Sequence, residues 1–259
     1  MMPAAQAGRL LGVDTSYCQR TITDADWAAL VAGGVSFAMV KASQGSGTDP
    51  CWVRNTASAR RSELLLLGAY HVLQPGQDPI AQAQHFADVT ETATSMRPVL
   101  DFELVKGSTP EAMAVAAVAW CTETKRLWGC DPVIYSYPGF IDSCGATHRG
   151  CSALLDLAEY PLWVAHYTQA NEPTTPKPWL DWLAWQFDGD GGATMTDGRD
   201  CDFSWFRGQP VDLAEQLGRN IYARTDPAPP IDWTPQPRAS TALPGLVPAT
   251  EDGGEQWIP

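Results

Sequence analysis

Long apolar runs are missing from this chain: nowhere do eighteen consecutive apolar residues occur, so no stretch meets the length of a membrane-crossing helix. Basic residues are scarce as well, 17 Lys and Arg against 30 Asp and Glu, for a net charge of −13. With no basic stripe to neutralise phosphates, nucleic acid is excluded as the expected partner. The seven cysteines are odd in number and show no paired Cys-x-x-Cys, which argues against a zinc ribbon and leaves reduced, mostly buried thiols as the reading. One stretch, Cys144-x3-His148-x2-Cys151, could instead hold a metal or close a small loop by oxidation. The first twelve residues carry a single Arg and no apolar segment of secretory length, so synthesis in the cytoplasm without a classical signal peptide is expected.

What is present is a 259-residue chain with 44% hydrophobic residues, enough for one large α/β domain. From Leu10 onward short apolar runs alternate with helical periodicity, the pattern of parallel strands joined by crossover helices. Strands are expected at 10–16, 35–42, 65–73, 97–104 and 132–137, with helices at 23–32, 52–64, 79–92 and 109–127. Three more strands, 161–167, 182–187 and 201–206, follow with no full crossover helix between the last of them. Five βα units and then three strands make a TIM-like (β/α)5(β)3 barrel, and a terminal helix at 211–222 completes a domain spanning 1–222. Residues 223–259 are acidic, rich in Pro and poor in apolar residues, and are expected to be an extended or disordered tail.

In such a barrel the polar residues at strand C-termini gather on one rim, here Asp14, Lys41, Tyr70, Asp101, Glu103, Tyr137, Gln186 and Asp202. The centre of that set is the run Val99-Leu100-Asp101-Phe102-Glu103-Leu104. Residues i and i+2 of a strand project to the same side, about 6.5 Å apart. Asp101 and Glu103 are therefore expected to stand together, with Leu100 and Phe102 packed the other way, as in a paired-carboxylate site. Eleven Trp residues are high for this length; each can be core or a stacking face for a sugar ring.

Seven motifs occur in one order: Gly12-Val13-Asp14-Thr15-Ser16, Lys41-Ala42-Ser43-Gln44-Gly45, Gly68-Ala69-Tyr70-His71, Asp101-Phe102-Glu103, Leu162-Trp163-Val164-Ala165-His166-Tyr167, Trp185-Gln186 and Asp202-Phe203-Ser204. Over residues 9–208 this pattern resembles the glycoside hydrolase family 25 lysozymes, the Chalaropsis-type muramidases. The chain departs from it at Tyr17-Cys18-Gln19, where His-Trp-Gln is common, at Gln44 in place of Glu, and at Ser204 where Asn is frequent.

The resemblance implies the β/α barrel and cleavage of the β-1,4 bond between N-acetylmuramic acid and N-acetylglucosamine in peptidoglycan. It implies Glu103 as proton donor and Asp101 as its partner, either orienting the 2-acetamido group or acting directly. Asp14 and Asp202 become supporting acids; Tyr70, Tyr137, Tyr167, Trp185, Gln186 and Lys41 become substrate contacts. Glu103 is expected to stay protonated through burial and the charge of Asp101. No metal and no organic cofactor is called for. The expected partner is the glycan strand of the bacterial wall, met by a monomer, as a phage endolysin would meet it. Two other readings stay open: a catalytically weak wall-binding barrel, and a virion-associated component whose tail docks to a partner.

Overall fold

A barrel wall packs on both faces, and in this chain the two faces of the strands lie in two separate apolar clusters. The computed structural model describes residues 8–90, 93–146, 152–194 and 199–218. The expected tail, the last part of the expected terminal helix, His148 and Cys151 lie outside the described residues.

Strand β1 (Arg9–Thr15) passes through a 3-10 turn at Tyr17–Gln19 into α1 (Asp24–Ala32). Strand β2 (Val35–Gln44) is followed by a two-residue return strand, β3 (Gly47–Thr48), and by α2 (Trp52–Ala59). Then come β4 (Leu66–Val72) with α3 (Pro79–Thr90), β5 (Val99–Asp101) with α4 (Pro110–Trp128), and β6 (Val133–Ser136) with α5 (Pro138–Ala146) and α6 (Ser152–Leu157). Strands β7 (Leu162–Ala165), β8 (Ala184–Thr194) and β9 (Asp200–Arg207) follow, and α7 (Pro210–Gln216) ends the described chain's regular structure. The wall runs β1-β2-β4-β5-β6-β7-β8 in parallel, and β9 closes it, antiparallel to both β8 and β1. Five βα units and three strands are the architecture expected above; β3, a hairpin off the end of β2, is the addition.

Alternation along the strands decides which cluster each side chain joins. Phe37, Met39, Val99, Val133, Trp163 and Phe206 fill the lumen, and Leu213 and Leu217, on and just after α7, join them. Val13, Val40, Leu100, Phe102, Ile134 and Val164 face outward against Trp27, Phe86 and Trp120 of the helices. Gly12 belongs to the lumen set, and an added Cβ there would sit 2.1 Å from Cζ of Phe37. Gly12→Ala is therefore expected to cost about 1–3 kcal/mol by overpacking, read as a melting temperature several degrees lower. A parent-like value would show that the Phe37 ring swings aside.

Helix α4 carries its own boundaries. The Thr109 hydroxyl accepts from the Ala112 N–H at 3.2 Å, Pro110 opens the first turn, and Gly129, at φ 69°, ends the helix in the left-handed region. Helix α2 and strand β5 fall furthest short of the ranges the sequence suggests. Helix α2 stops at Ala59 rather than 64, because Arg61 and Ser62 donate their N–H groups three residues back, to Ser58 and Ala59, and tighten the chain into a turn. Strand β5 stops at Asp101, so Glu103 lies just past its end. The alternation still carries through Phe102, whose N–H donates to the Tyr135 carbonyl at 2.9 Å and whose own carbonyl accepts from the Ser136 hydroxyl at 2.7 Å. At the base, the Gly208 N–H donates to the Gly8 carbonyl at 3.0 Å. Cys18, Cys51, Cys121 and Cys201 are free thiols.

Candidate active site

The same alternation that sends Val13, Leu100 and Ile134 to the helices turns Asp14, Asp101 and Tyr135 into the lumen. The most ordered feature of this rim is the Gln186 amide. Its Oε1 accepts from the hydroxyls of Tyr135 and Tyr167, each at 2.8 Å, which leaves Nε2 to donate to Asp14 Oδ2, also at 2.8 Å. Across the β1–β9 pair, Asp14 stands opposite Asp202 in register. Below them the Trp163 indole N–H donates to the Ser204 hydroxyl at 2.9 Å, and the Tyr135 ring meets Trp163 edge-on at 4.8 Å.

Buried carboxylates crowded in this way resist ionisation. Burial pushes Asp14 well above its ordinary range, and the charges of Asp202 and Glu103 add to the effect, while the Gln186 hydrogen bond opposes it. Asp101 is likewise raised well above the usual value, first by burial and then by Glu103, with Lys41 opposing. Glu103 is raised by burial; Lys41 lowers it and Asp202 raises it. Asp202 adds to the expected effect of Asp101 on Glu103. The repulsion between Asp101 and Glu103 is mutual, so the two carboxyls titrate together and share the first proton. Asp101 Oδ1 is buried and has no hydrogen-bond partner among the described residues, an acceptor left open beside the pair.

The family profile of Glycosyl hydrolases family 25 matches residues 13–194, a span that contains Asp14, Lys41, Tyr70, Asp101, Glu103 and Gln186. This chain belongs to glycosyl hydrolase family 25. Lysozyme M1 of Streptomyces globisporus is 27% identical to it over 223 residues, covering 82% of this chain and 72% of that one. The N,O-diacetylmuramidase of Arthroderma benhamiae is 24% identical over 189 residues, 67% of this chain and 76% of that one. Among solved structures, the bacterial lysozyme from Streptomyces coelicolor is similar with a TM-score of 0.67 and 25% identity, covering 82% of this chain and 98% of that one. The chain is a glycoside hydrolase built on the TIM-like barrel of its family.

Within this family 25 barrel most of the residues read from the sequence come together. Tyr70 is enclosed among the acids, and its phenol is pushed well up by burial and by Asp14, Asp101 and Asp202. Tyr137, 41% exposed, lies within the field of Glu103, and Tyr167, 59% exposed, reaches Gln186. Lys41 donates to Gln44 Oε1 at 2.8 Å. Trp185 does not join them: it is 3% exposed, lies on the opposite face of β8 from Gln186, and donates its indole N–H to the His166 carbonyl at 2.8 Å. It is a core residue, not a sugar platform. Tyr135 was missed; burial and the charges of Glu103, Asp101 and Asp14 hold its phenol well above the usual value. Its two-residue step from inward-facing Val133 is the signal that finds it.

Proposed function

We infer that this glycoside hydrolase is a peptidoglycan N-acetylmuramidase, cleaving the β-1,4 bond between N-acetylmuramic acid and N-acetylglucosamine and acting at the bacterial cell wall. The observation that carries this reading is the Asp101–Glu103 pair at the barrel rim, protonated above the ordinary carboxylate range and holding one unpaired buried acceptor. Glu103, at the open side of the pair, gives its proton to the glycosidic oxygen as the bond to the anomeric carbon breaks. Asp101 Oδ1 accepts the N–H of the substrate's 2-acetamido group. That contact turns the acetamide carbonyl oxygen toward the anomeric carbon, which it attacks to give a cyclic oxazolinium intermediate. Water then opens the ring, losing its proton to the Glu103 carboxylate, and the anomeric configuration is retained. Asp14 and Asp202 help set the charge and hydrogen bonds around the pair. Lys41, Tyr70, Tyr137 and Tyr167 contact the sugars, the last two as the exposed walls of the cleft.

Mass analysis of soluble fragments released from purified peptidoglycan tests the assignment. Products ending in reducing N-acetylmuramic acid are expected. Reducing N-acetylglucosamine would mean a glucosaminidase, and wall binding without release of reducing ends would mean a binding barrel. We further propose that residues 223–259 are not needed for hydrolysis, since the family match ends at residue 194 and every proposed site residue precedes residue 203. A chain ending at Tyr222 should retain parental turnover on soluble glycan fragments; a loss of turnover or of melting temperature would reject this.

A further inference from the structure

Lys41 is the cation that favours ionisation of both Asp101 and Glu103. Its ammonium meets no carboxylate among the described residues. One hydrogen goes to Gln44 Oε1 at 2.8 Å, and the Tyr17 ring lies 5.6 Å away. Asp49, the nearby acid after β3, is turned instead to the backbone N–H groups of Tyr17 and Cys51, at 3.0 and 2.8 Å.

The Gln44 amide is fixed in polarity at both ends. An ammonium has only donors, so Oε1 must face Lys41, and Nε2 donates to Gln74 Oε1 at 3.0 Å. Gln74 is held in turn by buried Gln82 of α3, which accepts from the Gln74 N–H at 2.8 Å and donates to the Gln74 and Gln77 carbonyls at 3.1 and 3.2 Å. His71, 3.1 Å from Gln82, is lowered to about 4 by burial and so stays neutral above that pH. This string of amides leads from a helix to Lys41 without a charge of its own.

We propose that Gln44 is a positioning residue that sets the pH range of catalysis, holding Lys41 beside the carboxylate pair with a neutral acceptor. The inference rests on the muramidase reading, in which the singly protonated pair is the working form. The titratable groups that feel Lys41 are Asp49 after β3, His71 on β4, Asp101 at the end of β5 and Glu103 beyond it. Asp14 on β1 and Asp202 on β9 act on the same pair with the opposite sign. A carboxylate in place of Gln44 would cancel much of the Lys41 field. The protonated pair would then persist to higher pH.

The test is the pH profile of kcat/KM on soluble peptidoglycan fragments. In Gln44→Glu the alkaline limb is expected to move up by about one pH unit, with kcat at the optimum of the parental order. Gln44→Met keeps the Lys41 charge but removes the acceptor that holds it, so the limb should move upward by less than in Lys41→Met. Lys41→Met should move the limb upward at least as far as Gln44→Glu. A Gln44→Glu limb at the parental pH overturns the proposal, as does a parental limb in Gln44→Met. Should Gln44→Glu fail to fold, an unshifted limb in Lys41→Met overturns it equally. A parent without muramidase products would reject the functional reading instead, a result distinct from an active parent whose variants share its profile.

Discussion

Glu103→Gln should reduce turnover of intact peptidoglycan about a thousandfold, the contribution typical of a well-placed general acid. The amide keeps the size of the carboxyl and removes only the proton it can deliver. Glu103 lies just past β5 and is half-buried, so the substitution leaves the wall pairing untouched. A glycoside with an aryl leaving group needs no proton to depart, and hydrolysis of such a substrate should suffer far less. Rates on the two substrates, with the melting temperature as a check on folding, decide the matter. Equal losses on both would remove Glu103 from the role of acid.

Asp101→Asn has the second large effect, and it runs in opposite directions for rate and for stability. Replacing the charged acceptor of the acetamide N–H by a neutral amide should lower turnover about a hundredfold on both substrates, the scale of one preorganised contact to a charge-developing group. Wild-type enzyme should likewise work poorly on glycans whose muramic acid is N-deacetylated; equal rates on the two glycans would make Asp101 a direct nucleophile or a simple electrostatic group. Stability follows from the sign of the shift. The folded chain holds the Asp101 proton more tightly than the unfolded chain, whose carboxyl titrates near 3.8, so ionised Asp101 opposes folding above that range. Parental stability therefore falls as pH rises from 3.8 through the raised folded value, and Asp101→Asn removes that loss. At neutral pH the variant should gain about 1 kcal/mol, or about 2–4 °C, and the gain should vanish in acid. A variant less stable than the parent at neutral pH would show that the Asp101 carboxylate holds the rim together.

The wall and its inward acids were legible because period-two alternation is a local property. Leu100 and Phe102 had to be buried on one side, and that left Asp101 and Glu103 on the other. The boundaries of α4 were legible for the same reason, in Thr109, Pro110 and Gly129. Trp185, a substrate contact by the family resemblance, fails on alternation: if Gln186 faces the lumen, its neighbour cannot. The end of α2 depends on backbone hydrogen bonds at Ser58 and Ala59 that no single residue type announces. Burial, the main source of the Glu103 shift, was legible; the part due to Asp202 was not, because Asp202 reaches it from the far end of the chain.

The antiparallel insertion of β9 between β8 and β1 bears on when the enzyme comes into being. Strand β1 has its parallel neighbour β2 within the first 44 residues, yet its other edge waits for the last strand of the wall. Contacts this distant in sequence form late, after most of the loop-closure entropy has been overcome. Asp202 arrives with that strand and meets Asp14 only at closure. A nascent or partly assembled chain therefore carries Asp14, Asp101 and Glu103 but no completed ring of acids, and hydrolytic competence becomes a late event of folding.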